Sequence, residues 1–377
     1  MNLQKFKLLR KHGKLIKISS LSRLFQEIHS PLSQRLDEVY RQDVHMEGKW
    51  MLACEEKLQQ LTGRRYAHIV TSGTAGLIIM HLALDIKAGD TILATNMSIP
   101  SSIMPARVLG AKLKFVDIDK FGQQNLNDLD LSDVKAIITT GLYGDTHDHD
   151  LLKTELPIIN DSCQAFLAKY KGVEATKFGD LSSISFAQNK TAPIFGTYGA
   201  ILTDREDLSE RIRHMRRCGN LTRDSEIKHI GINAQPHADK CVQVYTSLEY
   251  VDTWHKRRQE IASQYDESFK TLGIETRQSP SYSTTNHHKY VLFVNDNRQF
   301  AKKLKEHGVD SNLHYTYNFS KIEAIQETND LQYPMTDFFT KHALTIPSNP
   351  WLKKDEIKKV VESVKNCMTD QDTAICP

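Results

Sequence analysis

The sequence has few cysteines, and none of them is placed for shared chemistry. Cys54, Cys163, Cys218, Cys241, Cys367 and Cys376 form no C-x-x-C pair. Their spacings suit no zinc template, and reduced thiols of a cytoplasmic protein are the simpler reading. Long apolar runs are also missing. The longest candidates are broken by His, Asp or Lys well short of a bilayer span, so no membrane anchor is expected. Charge of one sign is not in excess: 49 basic and 46 acidic residues leave +3, too balanced to argue for nucleic acid. There is no G-x-x-x-x-G-K, and no G-x-G-x-x-G follows a strand, so neither a P-loop nor a dinucleotide fingerprint is supported. Repeats, low-complexity tracts and Pro/Gly linkers are absent. What is there is ordinary globular composition, 40% hydrophobic and 25% charged over 377 residues, a length that favours two domains.

The start of the chain is biased. Lys5, Lys7, Arg10, Lys11, Lys14, Lys17 and Arg23 all precede the first acid, Glu27. Organelle-targeting segments share that bias, but serine is confined to Ser19, Ser20 and Ser22, and a basic surface arm over residues 1–30 is the expectation.

Short apolar strands then alternate with helical stretches. Strands are expected at Ala67–Thr71, Thr91–Thr95, Leu113–Val116, Ala136–Thr140, Ile158–Asn160, Ser182–Ala187 and Ala200–Thr203. Several are continuously apolar, as in a mostly parallel sheet covered on both faces. Thr74–Ile86 is apolar almost all round and reads as a buried helix. Asp204 is placed to cap a helix carrying Leu208, Ile212 and Met215, with Gly219 as its stop. A long helix is expected from about Ala238 to Phe269. Beyond it come a strand at Lys289–Val294, a helix at Arg298–His307 ended by Gly308, a strand at Val309–Tyr315, and a last helix with Ile357, Val360, Val361 and Val364 on one face. The expected division is a large α/β domain over 31–255 and a smaller C-terminal α/β domain over 256–377.

Four local features bear on chemistry. Thr71-Ser72-Gly73-Thr74-Ala75 lies between a strand and a buried helix, where small residues and a helix dipole hold an anion or simply cap the helix. Asp161 closes a strand at the ligand-bearing edge of an α/β sheet, where an acid suits a protonated ring nitrogen; standing alone it reads first as the N-cap of the segment after Ser162. Lys190 follows the alternating strand Ser182–Ala187. A lysine desolvated there, or beside other cations, becomes a nucleophile for aldehydes, the alternative being one more solvated surface lysine. Asn233, in Gly231-Ile232-Asn233, stands just ahead of the long helix. Asp145-Thr146-His147-Asp148-His149-Asp150 is dense in ligand atoms. Neighbours in one short loop rarely close a metal shell, so no metal is expected.

Taken in order, these segments resemble the DegT/DnrJ/EryC1/StrS family of sugar aminotransferases, which have the fold-type-I, aspartate-aminotransferase-like architecture. The resemblance runs from about Glu47 to about Val364. It is carried by Ser72-Gly73-Thr74-Ala75, Gly89-Asp90, Leu109-Gly110-Ala111, Phe115-Val116-Asp117-Ile118-Asp119, Leu142-Tyr143-Gly144 and Asn160-Asp161-Ser162-Cys163-Gln164-Ala165. Phe178-Gly179-Asp180, Ser185-Phe186 with Lys190, Gly231-Ile232-Asn233, His314-Tyr315 and Ile346-Pro347 with Pro350 complete it.

The resemblance implies pyridoxal 5′-phosphate as cofactor. Lys190 is then its Schiff-base lysine and the proton shuttle, and Asp161 pairs with the pyridine nitrogen so that the ring serves as an electron sink. Gln164 contacts the ring hydroxyl. The Ser72–Gly73 turn, the Thr74 and Ala75 N–H groups and the Ser185 hydroxyl hold the phosphate. Ile99 covers the ring where the family usually has an aromatic residue. Asn233 reaches the phosphate of a neighbouring subunit, which makes the active unit a homodimer with shared sites. Two positions on, the family's usual arginine is Gln235 here. The implied reaction is amination of a nucleotide-linked keto-sugar with glutamate or glutamine as donor. Two other readings are open: a dehydratase of the same fold, whose members replace the lysine with histidine, and a non-catalytic binding or regulatory protein, suggested by Ile99 and Gln235.

Overall fold

The structure, a computed structural model, describes residues 15–43, 45–222, 224–325, 331–369 and 376. Its main sheet has seven strands: β1 (Tyr66–Val70), β2 (Thr91–Thr95), β3 (Lys112–Val116), β4 (Val134–Thr140), β5 (Ile158–Asp161), β6 (Leu181–Ser185) and β7 (Gly199–Thr203). They lie in the order β1-β7-β6-β5-β4-β2-β3. Each corresponds to one strand read from the sequence, with ends displaced by at most two residues. The pairs from β3 to β6 are parallel, and β7 runs antiparallel to both β6 and β1.

Two reversals restore the first direction, so β1 points the same way as β6. The carboxyl ends of β1, β2, β4, β5 and β6 therefore share one edge with the amino end of β7. The parallel strands also wind outward in two directions from between β2 and β4. That switch point is where open α/β sheets bind ligands.

Continuous burial along the strands follows from cover on both faces. One face packs Val70, Ile92, Ala94, Ile138 and Ile201 against helices Gly73–Ala83 and Glu206–Met215. The other packs Ile69, Ile184, Ala200 and Leu202 against helix Lys49–Thr62 and the first half of helix Ala238–Thr271. The 34 residues of that long helix span about 51 Å at 1.5 Å per residue. Its second half enters another core, where Ile261, Tyr265 and Phe269 meet a two-stranded sheet, β8 (Tyr290–Phe293) with β9 (Ala343–Ile346), and helices Asn297–Glu306 and Lys354–Cys367.

The expected boundary near 255 falls inside the long helix, which belongs to both cores. The one at 30 falls inside helix Leu21–Tyr40, which lays Leu24, Ile28, Leu32 and Val39 against Ala238, Val242 and Trp254. The part of the expected arm that is described is tied down. Ile16 bridges Val309, and Arg23 makes a two-pronged ion pair with Glu356. Lys5, Lys7, Arg10, Lys11 and Lys14 lie outside the described residues.

Three local expectations are corrected. Asp204 does not cap the next helix, whose N-cap is Arg205. Its carboxylate instead pairs with Arg64 and Lys177 and accepts from the Arg65 N–H, because the buried Arg64 guanidinium requires an anion. That helix ends at Met215, ahead of Gly219. Val309–Tyr315 is not a strand: it makes only isolated bridges, from Val309 to Ile16 and from Asn312 to Thr345 of β9.

Candidate active site

The common sheet edge gathers the chemistry. A cavity of about 190 Å³ is lined there by Ser72, Gly73 and Thr74 after β1, Ile99 and Ser101 after β2, Asp161 and Cys163 at the end of β5, Ser185 at the end of β6, Lys190, and Thr197 just before β7.

Asp161 forms one wall. It is 3% exposed and its two oxygens are used differently. Oδ2 accepts from the Ser102 hydroxyl at 2.5 Å, while Oδ1 accepts from the Cys163 N–H at 3.1 Å and the Ser183 hydroxyl at 3.3 Å. These donors fix the carboxylate plane. Ser102 and Ser183 were not singled out in the sequence. The alternation of β6 could have revealed Ser183, which shares a face with Ser185; nothing local marks Ser102. Burial and the adjacent Asp161 push the Cys163 thiol well above its ordinary range, so it stays a neutral wall of the site.

Lys190 is 8% exposed, and its amine makes no hydrogen bond or ion pair among the described residues. It is the one amine that lines the cavity. A second lysine stands close by. Burial, together with Lys190 and Arg258, pulls Lys289 down to about 7. Burial, Lys289 and Lys190 likewise hold His314 well below the ordinary histidine range.

The turn after β1 is both a cap and a cradle. The Ser72 side chain accepts from the Ala75 N–H at 3.0 Å, so that donor is spent within the turn, contrary to its expected part in holding an anion. The Gly73 and Thr74 N–H groups belong to the helix's first turn and have no internal partner. The turn lies against Ser185: a Cβ on Gly73 would sit 3.6 Å from the Ser185 hydroxyl oxygen. A Cβ on Gly199 would sit 2.5 Å from the Gly73 nitrogen, so β7 can pass behind the cradle only as glycine. A terminal phosphate fits this turn, an acid-paired ring nitrogen fits Asp161, and an aldehyde fits Lys190. The residues present suit a phosphorylated pyridine aldehyde.

Ile99 is 36% exposed and lines the cavity. Gln164 does not line it. Its Nε2 donates to the Tyr315 hydroxyl at 2.7 Å and its Oε1 accepts from the Tyr143 N–H at 3.2 Å. Asn233 is exposed, outside the cavity, on a segment bridging Arg217. In the 145–150 loop, Asp145 pairs with Arg277, Asp148 accepts from Tyr170, Asp150 pairs with Lys171, and His149 stacks on Phe178. No cluster of three or more metal-type ligands assembles among the described residues.

Known proteins resemble this chain along most of its length. The family model described as the DegT/DnrJ/EryC1/StrS aminotransferase family matches residues 26–365. The chain is 26% identical, over 93% of its length and all of the relative's, to the UDP-2-acetamido-2-deoxy-3-oxo-D-glucuronate aminotransferase of Pseudomonas aeruginosa. It is 25% identical, over 93% of its length and 99% of the relative's, to the dTDP-3-amino-3,6-dideoxy-alpha-D-galactopyranose transaminase of Aneurinibacillus thermoaerophilus. Among solved structures, NtdA of Bacillus subtilis with bound cofactor PMP superposes with a TM-score of 0.83 at 21% identity, covering 90% of this chain and 82% of that one.

Proposed function

The chain belongs to the DegT/DnrJ/EryC1/StrS aminotransferase family, and from that premise we propose that it aminates a keto-sugar carried on a nucleotide, with glutamate or glutamine as donor. Its cofactor is pyridoxal 5′-phosphate, which when bound supplies an electron sink for charge developing at the substrate carbon. The relatives above act on nucleotide-linked sugars. The observation that carries the reading is the buried, unpaired Lys190 amine sharing one cavity with the Asp161 carboxylate.

In this reading each residue has a defined task. Lys190 anchors the cofactor through its amine and, once displaced, moves a proton to and from the substrate carbon. Asp161 keeps a proton on the ring nitrogen, and Ser102 and Ser183 hold its carboxylate in place. Gly73, Thr74 and Ser185 hold the phosphate. Ile99 gives apolar cover. Gln164 orients Tyr143 and Tyr315 beside the site. Asn233 completes the phosphate site of a second copy, so the active unit is a homodimer. Supporting this is its exposure away from its own cavity. The retained Lys190 favours amino transfer over sugar dehydration.

No helix among the described residues is long and apolar enough to cross a membrane, and we place the reaction in the cytoplasm. The test is to mix the holoenzyme with L-glutamate and follow its visible absorbance, then supply nucleotide keto-sugars and look for the amino-sugar by mass. An absorbance unmoved by any amino donor overturns the reading. A monomer in sedimentation that retains cofactor and turnover overturns the shared site.

A further inference from the structure

Behind Lys190 lies a second, smaller cavity that the proposed chemistry does not use. Its walls include Lys190, Arg258, His288, Lys289, Ser348 and Asn349, and no acidic side chain lines it. Arg258 is 4% exposed and Lys289 7%. Neither has a carboxylate partner among the described residues. Arg258 donates only a long bond, 3.3 Å, to the Ser348 carbonyl, and its buried Nε has no partner. The buried Nδ1 of His288 is also unpartnered. Cations are normally buried with a counter-ion or with full hydrogen bonding, because desolvation is otherwise uncompensated. Elsewhere in this chain that rule holds: Arg64 has Asp204, Arg216 has Glu55 and Arg277 has Asp145. The exception is concentrated at one place.

From this juxtaposition we propose that Lys289 and Arg258 bind a carboxylate of the substrate, and so select for acidic substrates. The inference rests on the aminotransferase reading above. Three observations set the ligand's chemistry. It is an anion, since the cavity offers donors and positive charge without a competing acid. It is small, since the free space is about 10 Å³, enough for one water-sized oxygen; a carboxylate edge enters where a phosphate does not. It is attached to the reacting molecule, since Asn189 and Lys190 line both this cavity and the larger one. Two sources have that chemistry, a carboxylate on the sugar and the carboxylate of the amino donor. The relative from Pseudomonas aeruginosa acts on a glucuronate. The pull on Lys289 toward its neutral form is the state expected of an anion site before the anion arrives.

The experiment uses the holoenzyme and Lys289→Met, which keeps the side chain's length and removes its charge. Calorimetric titrations compare UDP-glucuronate with UDP-glucose, and separately measure 2-oxoglutarate. Loss of at least about tenfold in affinity for UDP-glucuronate with UDP-glucose unchanged supports the proposal and assigns the carboxylate to the sugar. The same loss for 2-oxoglutarate supports it and assigns the carboxylate to the donor. Unchanged affinities for both carboxylates, or equal losses for UDP-glucuronate and UDP-glucose, overturn it. If Lys289→Met does not fold, Lys289→Gln is read by the same criteria. Equilibrium binding needs no turnover, so failure to aminate any sugar sinks the functional reading separately.

Discussion

The Ser102 hydroxyl donates to Asp161 Oδ2 at 2.5 Å, across 59 positions of sequence. It ties the segment after β2 to the end of β5, one strand on each side of the switch point, with β4 between them. Asp161 thus faces the cavity with its plane fixed before any ligand arrives. Asp161→Asn keeps the shape and loses the charge. Turnover should fall about a thousandfold, roughly 4 kcal/mol of transition-state stabilisation. Ser102→Ala leaves the charge and loosens the plane, so its loss should be smaller, about tenfold. Steady-state kinetics of the two variants checks the order; near-normal turnover of Asp161→Asn assigns the acid's role elsewhere.

Lys190→Ala should abolish turnover while leaving the melting temperature close to that of the parent, since the amine has no partner to lose among the described residues. Borohydride treatment of the holoenzyme should leave the cofactor's mass on the peptide that carries Lys190. Finding it on the Lys289 peptide instead would reverse the roles of the two lysines.

Ile99 covers the cavity without an aromatic face, whose stacking typically adds about 0.5–1.5 kcal/mol. The protein should release some cofactor on dialysis, and Ile99→Phe should tighten cofactor binding by up to roughly tenfold. Fluorescence titration of apo protein gives the affinity, and apo melting tests for overpacking. If both are unchanged, Ile99 does not meet the ring.

Lys289 titrates near 7 in the fold against an ordinary 10.5, chiefly through burial, with Lys190 and Arg258 adding to it. Between those values the unfolded chain binds a proton that the fold does not. Stability from this group is therefore complete above 10.5 and declines as pH falls toward 7. Lys289→Met should melt higher than the parent at pH 7, and the difference should shrink toward pH 10. Parallel melting curves of the two proteins across that range contradict the assignment.

The sequence made the sheet legible because its strands are short apolar runs bounded by polar turns, and burial on both faces demands that pattern. Lys190 and Asp161 were found because each follows such a strand. The rest of the site was hidden for a physical reason: Ser102, Arg258 and Lys289 come from distant segments, and only the sheet's winding brings them near. Lys289 stands just ahead of an apolar strand, and nothing in its neighbours along the chain signals that it is buried. Asp204 misled because a cap and an ion-pair partner look alike in one dimension. Val309–Tyr315 has strand-like composition, yet it meets β9 only at Asn312.

The ties made by the first described residues set a schedule for biosynthesis. Arg23 bonds Glu356, 333 positions later, and Ile16 meets Val309. At 5–20 residues per second, Arg23 waits roughly 17 to 67 s for its partner to be made. Strand β1 likewise has no neighbour until Gly199–Thr203 follows. The Arg23 tie therefore closes only after most of the chain between its two partners has been made, whereas helix Leu21–Tyr40 can be covered as soon as Ala238, Val242 and Trp254 exist. Early stops in translation leave the apolar side of helix Leu21–Tyr40 uncovered, a ready handle for chaperones.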